Sequence, residues 1–238
     1  MIDPKSLLNQ FLGGQTTQGG GMGNVVRNAQ QKFQSSGLNS FGGGAAVGGV
    51  LGLLVGNKKV RKMAGGAFGY GGAAVLGALA LRAYQNYQQG KPAQAATAPL
   101  TAQELAQIPP AQLPHALPAR DGSPFELLLM RAMVGAAKAD GHIDAEEQRH
   151  VFEQVERMGL DAEAKAAVFD LLASPLDLSR LDASVGNEAQ RAEIYLAARL
   201  ATDGDHPAER AYLDALAARL QLPAPLRAHL EGQLGAAP

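Results

Sequence analysis

Cysteine and tryptophan are both absent from the 238 residues, and aromatic residues make up only 5% of the chain. Without cysteine there is no disulfide framework, no thiolate-ligated zinc or iron–sulfur site and no thiol nucleophile. The absence does not select a redox compartment, because proteins of the cytosol and of the periplasm both occur without cysteine.

A formal net charge of -1 hides two halves of opposite charge. Residues 1–122 carry ten Lys/Arg against three acids, a balance of +7, whereas residues 123–238 carry eleven against nineteen, a balance of -8. Glycine follows the same division, since 22 of the 29 glycines lie at or before Gly122. The chain is therefore expected to join two segments of different physical character that do not share one core.

Residues 1–36 are predicted to form a short amphipathic helix followed by a flexible segment. Leu7, Leu8, Phe11 and Leu12 recur at the spacing of one helical face. The stretch 13–24 is rich in Gly, Gln and Thr, which is typical of a flexible linker. The residues that follow Met1 do not have the pattern of a secretory signal.

Residues 37–89 carry two long uncharged runs, 37–56 and 64–81, that indicate membrane association. An 18-residue helix is about 27 Å long, close to the hydrocarbon thickness of a bilayer. Small residues recur every four positions in both runs, a spacing that lets helix backbones approach closely in lipid. These helix-packing positions are Gly44, Gly48, Gly52, Gly56, Gly65, Gly69, Ala73 and Gly77.

Two membrane arrangements fit these runs. Either both runs form a packed helical hairpin, or residues 64–81 form a single span, and the stripes of small residues could also pair between subunits into a homo-oligomer. The alternative without a membrane is a disordered, low-complexity segment. The Val, Leu, Ala and Phe residues between the glycines favour membrane lipid as the partner, because flexible linkers rarely carry them.

Four cations, Lys58, Lys59, Arg61 and Lys62, lie in one turn between the glycine stripes. They fit a positive-inside topology signal and a contact with anionic lipid head groups, and these two roles do not exclude one another. A solvated turn is the alternative. Nucleic acid is not expected as a partner, because the other half of the chain is acidic and aromatic residues are sparse. The side of the membrane on which that half lies stays open.

Residues 90–122 hold six prolines with many Ala and Gln and few large apolar residues. This composition predicts a semi-extended linker between the membrane segment and a globular domain. The spacing of Thr101 and Glu104 matches a capping box and predicts at most a brief helix there.

Residues 123–238 are predicted to form an all-α bundle of six to seven helices. Proline and acidic residues mark the helix starts, as at Ser123–Pro124, and no β-branched run alternates at period two. The predicted elements are helices from 123, from 144 to about 158, from 161 to about 174, a short helix or turns over 176–184, and helices over 187–201, over 207–220 and up to about 234.

An internal repeat at an offset of 62 pairs two acidic loops. Residues 139–147, ADGHIDAEE, align with residues 201–209, ATDGDHPAE. Each unit has the order helix, acidic loop, helix. Two such units usually pack as a pseudo-symmetric pair, an arrangement that would bring the two loops close together.

At these loops the sequence resembles a known family. The pattern KADGHIDAEE, followed by ATDGDHPAERAYLDALAARLQL, is similar to the TerB-like, tellurite-resistance-type helical domain. The whole chain, from SLLNQFLG through the Gly-rich stretch with NKKVRK to the C-terminal domain, resembles YebE-type inner-membrane proteins, whose function is not established. The resemblance implies a helical bundle with acidic loops proposed to bind metal, located at the bacterial inner membrane and tied to envelope or stress biology.

The acidic loops supply the candidate ligands for a divalent metal, with Ca²⁺, Mg²⁺ or Zn²⁺ as the ion. The first loop matches the second half of an EF-hand loop, but Ala136 and Lys138 occupy the places of that loop's first acids. The second loop has Thr202 and His206 where the first has acids. The alternative is that the acids only cap helices. The candidate ligands are Asp140, Asp144, Glu147, Asp203, Asp205 and Glu209.

Known catalytic motifs are absent from the sequence. It contains no HExxH, GxSxG or phosphate-loop pattern, and Glu147-x-x-His150 has no counterpart in the repeat. We therefore expect an inner-membrane-anchored interaction or sensor protein, not an enzyme, whose helical domain responds to an unknown protein partner or to metal. The rival prediction is a peripheral scaffold that self-assembles through its Gly-rich stripes, and an enzyme of unrecognised type ranks third.

Overall fold

The computed structural model describes residues 4–5, 8, 72–95, 102–139, 162–173, 177–202 and 206–234. These residues form helices joined by turns and irregular stretches, and they contain no strand, so the all-α prediction is confirmed for this part of the chain. The α-helices are α1 (Gly72–Gln88), α2 (Ala102–Gln107), α3 (Phe125–Ala137), α4 (Ala162–Ala173), α5 (Leu178–Ala183), α6 (Glu188–Leu200), α7 (Pro207–Arg219) and α8 (Ala224–Leu234). Short 3-10 turns span Pro110–Gln112 and Pro114–Ala116.

Helix starts in the acidic half follow the local capping signals. The side chain of Asn187 accepts a hydrogen bond from the backbone N–H of Gln190 at 2.8 Å and so caps α6. Helix α3 begins differently from the prediction, because the Ser123 hydroxyl donates to Asp121 and no side chain caps this helix. The predicted helix over 144–158 lies outside the described residues.

Helix α6 is the centre of the bundle. Its residues 192–198 are all buried, and such a run means that neighbouring elements cover the helix on every side. Helices α1, α3, α7 and α8 all pack against it. Ala192, Ala197 and Ala198 are fully buried and leave room for these neighbours to approach closely.

Helix α1 packs against α6 and α8, inside the core of the acidic half. Its buried residues Val75, Leu76, Leu79, Ala80 and Ala83 follow the spacing of one helical face. The expectation that the two halves do not share a core therefore does not hold for α1. Net charge misses this, because a helix is buried through its apolar face and the charge of distant residues has no bearing on it.

The proline-rich stretch 90–122 also packs on the bundle in its described part. Leu113, Pro114 and Ala119 are buried, and the imidazole of His229 in α8 lies 3.0 Å from the carbonyl oxygen of Lys91. The carbonyl oxygens of this irregular backbone need hydrogen-bond donors, and side chains of α6 and α8 supply them. The described part of the stretch therefore packs on the bundle, and its role as a linker stays a prediction.

The N-terminal segment reaches the same core. Pro4, Lys5 and Leu8 are helical, and the side chain of Leu8 is 0% exposed within the main apolar cluster. The other predicted positions of this helical face, Leu7, Phe11 and Leu12, lie outside the described residues. The apolar face predicted near Met1 therefore contains at least one residue that packs on the helical domain.

Among the residues that the structure describes, no helix has both the length and the apolar content needed to cross a membrane. Residues 37–71 lie outside the described residues. The hairpin and the single span over 64–81 accordingly stay predictions. Residues 72–81 of that run form the first part of α1.

Candidate functional site

Three titratable side chains come together beneath α1. His115 lies in the second 3-10 turn, Glu193 in the middle of α6, and Glu126 in the first turn of α3. The Nδ1 atom of His115 is 2.5 Å from Oε1 of Glu193. Glu193 is 0% exposed and Glu126 is 3% exposed, so both carboxyl groups are removed from water. We name these three residues the buried cluster.

The buried cluster has more oxygen atoms than hydrogen-bond donors. Oε2 of Glu193 and Oε1 of Glu126 are buried and have no hydrogen-bond partner among the described residues. A buried carboxylate oxygen without a donor costs free energy, and the cost is smaller when the carboxyl group carries a proton. Glu126 lies in the first turn of α3, where the helix dipole favours a negative charge.

Helix α1 covers the imidazole through a glycine. A Cβ atom added at Gly77 would lie 2.5 Å from Cε1 and 2.7 Å from Nδ1 of His115, and 3.1 Å from Oε1 of Glu193. Glycine in a helix interior costs about 1 kcal/mol relative to alanine, so its presence in mid-helix has a packing cause here. The missing side chain lets α1 lie directly on the hydrogen-bonded pair of His115 and Glu193.

Gln190 holds the backbone that carries His115. Its Nε2 atom donates to the carbonyl oxygens of Leu117 at 3.0 Å and Pro118 at 3.2 Å, with a longer contact of 3.4 Å to that of Pro114. Its Oε1 atom accepts from the backbone N–H of Gly186 at 2.9 Å. One fully buried amide, a single helical turn before Glu193, thus fixes the position of the imidazole.

The pKa values of the cluster show that it retains protons. Burial lowers the pKa of His115, but the hydrogen bond and charge of Glu193 and the charge of Glu126 outweigh this effect and leave that pKa above its ordinary value. Lys5 opposes the increase. Burial raises the pKa of Glu193, and repulsion by Glu126 adds to it, while the bond to His115 opposes it. In the folded domain His115 and Glu193 therefore bind more protons than they do in water.

A second polar network lies on another face of α6. The hydroxyl of Tyr195 donates to Oε1 of Glu231 at 2.6 Å and accepts from Nε of Arg227 at 2.8 Å. Arg199 contacts the other oxygen of Glu231 at 3.0 Å, and Arg227 also pairs with Asp214 at 2.6 Å. Burial and the carboxylate of Glu231 raise the pKa of Tyr195, so the phenol stays protonated. Every charge in this network has a partner, which indicates that it joins α6, α7 and α8.

The candidate metal ligands fall mostly outside the described residues. Asp140, Asp144, Glu147, Asp203 and Asp205 all do, and Glu209 lies in the first turn of α7. Within the described part of the chain, no group of three or more His, Asp or Glu side chains is arranged so that it could hold a metal ion. The six candidate ligands therefore stay a prediction.

Two described residues of the second acidic loop have roles other than metal ligation. Thr202 is 1% exposed, and its hydroxyl donates to the carbonyl oxygen of Arg199 at 3.1 Å, at the end of α6. The Nδ1 atom of His206 accepts from the backbone N–H of Ala208 at 3.2 Å and caps α7. These hydrogen bonds stabilise the end of α6 and the start of α7.

Of the small-residue positions, two lie in the described part of the chain. Ala73 and Gly77 belong to α1, and Gly77 forms the contact with His115 described above. The positions Gly44, Gly48, Gly52, Gly56, Gly65 and Gly69 lie outside it, and so do Lys58, Lys59, Arg61 and Lys62. Their packing and lipid contacts stay predictions.

The sequence interpretation missed the buried cluster. His115 belongs to a stretch whose composition predicts a linker, and Glu126 is explained by its position near a helix start. A usable signal is present at Glu193, which shares a helical face with Leu196, Ala197 and Leu200. A charged residue on an apolar face is a candidate for a buried group with a partner.

A family model described as "Protein of unknown function (DUF533)" matches residues 40–234. The chain belongs to the DUF533 family. DUF533 is a TerB-like family, so this part of the resemblance is confirmed. The match includes the Gly-rich segment and all three residues of the buried cluster, whereas Lys5 and Leu8 precede it.

One relative of this DUF533 protein is known from Yersinia enterocolitica. It is described as "Uncharacterized protein in ampR 5'region" and is 32% identical over 103 residues, which cover 43% of this chain and 74% of the relative. No solved structure matches the chain. These comparisons identify the family but do not indicate an activity.

Proposed function

We propose that this DUF533 protein is a YebE-type interaction or sensor protein anchored in the bacterial inner membrane. In this proposal the Gly-rich segment is the membrane contact, and the helical domain senses whether that contact is made. The single observation that carries the proposal is that chain segments on both sides of the Gly-rich segment pack into one core: Leu8 before it, and α1 after it.

The two attachments give the proposal its physical basis. Leu8 is 0% exposed, and α1 buries its apolar face on α6 and α8. A force or a change of environment acting on residues 9–71 must then act on the core at both ends. A flexible tail lacks both attachments, because none of its residues is buried in the core of a domain.

The chemistry of the Gly-rich segment supports lipid as the contact. Its glycines recur every four residues among apolar side chains, and Lys58, Lys59, Arg61 and Lys62 are suited to anionic head groups. The same stripes support a homo-oligomer in the membrane, through which an unknown protein partner would be engaged. The relation to envelope or stress biology follows from the YebE resemblance alone.

Fractionation of cells that contain the full chain with a C-terminal tag tests the anchor. We expect the protein in the membrane fraction after a carbonate wash. In flotation, vesicles of phosphatidylglycerol and phosphatidylethanolamine should carry the protein better than vesicles of phosphatidylcholine. A variant with Lys58, Lys59, Arg61 and Lys62 all changed to Gln should lose that preference. Its matched control changes Arg131, Arg210 and Arg219, exposed cations of the helical domain, to Gln.

Release into the soluble fraction by carbonate would contradict the integral anchor. If the released protein also forms large assemblies, the self-assembling peripheral scaffold replaces it. If it is monomeric, both proposals fail. Size-exclusion chromatography with light scattering separates these two cases.

A role for divalent metal is a separate part of the proposal and is supported by the first acidic loop. Its acids Asp140, Asp144 and Glu147 match half of an EF-hand loop, whereas Thr202 and His206 of the second loop are used elsewhere. Calorimetric titration of the full chain with Ca²⁺, Mg²⁺ and Zn²⁺ tests it. Binding heat that is lost in Asp140→Ala and Glu147→Ala supports a site, and heat that both variants retain counts against it.

A further inference from the structure

The buried cluster poses a charge problem that the fold solves only in one protonation state. It contains two carboxyl groups and one imidazole, and the two orphaned oxygens show that hydrogen bonds do not compensate a second negative charge. When the three groups together bind two protons, their formal charges sum to zero. Each proton that leaves adds one uncompensated negative charge to a region of low dielectric.

Charged groups on three of the elements around His115 act on this balance. Glu193 faces it from α6 and Glu126 from α3, and both favour the protonated imidazole. Lys5 acts on it from the N-terminal segment with the opposite sign. Helix α1 presents Gly77 at this place and therefore supplies neither a charge nor a hydrogen-bond donor from a side chain.

Helix α1 is the element whose movement would hydrate the cluster. It lies directly on the imidazole, and a Cβ atom at Gly77 would come within 3.1 Å of Oε1 of Glu193. Glu193 and Glu126 are otherwise enclosed by α6 and α3, which form much of the apolar core. Opening α1 exposes less apolar surface than opening α6, and local opening follows the route of lowest free energy.

We propose that the buried cluster is a proton-controlled latch, which holds α1 on the helical domain while it is protonated and releases α1 when it loses its protons. The released helix gives up its contacts with α6 and α8, and water then solvates the two carboxylates. The signal to which the domain responds is thus the proton concentration on its side of the membrane.

Release of α1 would change the length of chain that is available to lipid. Residues 72–81 are the second part of the uncharged run 64–81, and in the docked state Val75, Leu76 and Leu79 are buried in the protein core. The same side chains cannot face lipid and the core at once. This consequence rests on the proposed function, whereas the release itself does not require a membrane.

The absence of cysteine allows the release to be measured with single thiols in the full chain. Ala80 in α1 and Ala132 in α3 are both 0% exposed. We would prepare Ala80→Cys and Ala132→Cys separately and measure the rate of maleimide labelling from pH 6.0 to 8.5. The ratio of the two rates cancels the ionisation of the thiol and reports the opening of α1 relative to the opening of the core.

We expect the ratio of the Ala80→Cys rate to the Ala132→Cys rate to rise roughly threefold to tenfold over this range, since loss of one proton changes an opening equilibrium by up to about tenfold per pH unit. Adding Glu193→Gln, which keeps the shape and removes the titration, should flatten the rise. Asp182→Asn in α5 is the matched control and should leave it unchanged. If Glu193→Gln fails to fold by circular dichroism, Glu126→Gln serves instead and should reduce the rise.

A ratio that does not change with pH overturns the latch, and so does a rise that persists in full in Glu193→Gln. Equal acceleration at both thiols also overturns it, because the whole domain then opens together. Vesicle flotation is recorded on the same samples at pH 6.0. If the protein does not float with the vesicles but the labelling ratio rises with pH as expected, the membrane proposal is contradicted and the latch is supported. If the protein floats but the labelling ratio does not rise, only the latch is contradicted.

Discussion

A Cβ atom on Gly77 would stand 2.5 Å from Cε1 of His115. Real side chains do not approach so closely, so the two positions are sterically coupled. The coupling joins a residue of the Gly-rich half to one in the proline-rich stretch. It makes glycine at position 77 a requirement of the folded domain and predicts the outcome of several substitutions.

Gly77→Ala should destabilise the protein by up to about 2 kcal/mol, because inserting a methyl group into a filled core costs about 1–3 kcal/mol. Alanine offsets about 1 kcal/mol of this cost in a helix interior. Urea denaturation measures the change. The double variant Gly77→Ala/His115→Ala should lose less than the sum of the single variants, because removal of the imidazole makes room for the methyl group. Additive effects would contradict the contact.

Stability should fall as pH rises, through the buried cluster. The pKa values of His115 and Glu193 are raised from ordinary values of 6.5 and 4.5, so the folded state binds more protons than the unfolded state. The contribution of each group to the free energy of unfolding is fully present below its ordinary pKa. It is lost as pH rises through the pKa that the group has in the folded state. The melting temperature of Glu193→Gln minus that of the wild type should therefore increase with pH above about 4.5. A difference that is constant or decreases with pH would show that the cluster does not retain protons.

Gln190→Leu should cost about 1–3 kcal/mol, because it leaves the N–H of Gly186 and the carbonyl oxygens of Leu117 and Pro118 without their partner. It should also increase amide hydrogen exchange in the 3-10 turn that carries His115. Gln107→Leu, at an exposed position of α2, is the matched control and should change neither quantity. Unchanged exchange in the turn would mean that other contacts hold the imidazole.

Leu8→Ala should destabilise the domain by about 2–5 kcal/mol, the range for a fully buried leucine that leaves a cavity. Leu117→Ala is the control, since Leu117 is 55% exposed and its truncation should cost less than about 0.5 kcal/mol. Thermal melts of both variants provide the comparison. Equal melting temperatures would show that the N-terminal segment contributes nothing to the core.

Gly232→Ala should detach the stretch after α1 from α8. A Cβ atom there would lie 2.5 Å from the carbonyl oxygen of Gln94, and backbone cannot move aside as the end of a side chain can. Faster amide exchange over residues 90–95 is the expected result. Ala228→Gly, at an exposed position of the same helix, controls for changes in helix stability. Unchanged, slow amide exchange over residues 90–95 in Gly232→Ala would show that the contact with Gly232 does not hold this stretch on α8.

The helices of the acidic half could be predicted closely, because their ends depend on local residues. Asn187 caps α6, Pro207 begins α7, and both signals are visible within one turn of chain. The buried cluster could not be predicted in this way. His115 and Glu193 are 78 positions apart, and neither belongs to a recognised motif. Their meeting depends on the packing of the second 3-10 turn against α6, where Gln190 binds the carbonyl oxygens of Leu117 and Pro118.

Helix α1 is synthesised well before the helices on which it packs. Helix α1 ends at Gln88, and its main partners α6 and α8 begin at Glu188 and Ala224, so the 99 residues 89–187 must be made before α6 starts. At translation rates of about 5–20 residues per second this takes roughly 5–20 s. During that interval the apolar face of α1 has neither α6 nor α8 to pack on. During synthesis the apolar face of α1 is therefore open to other contacts before the helical domain is complete.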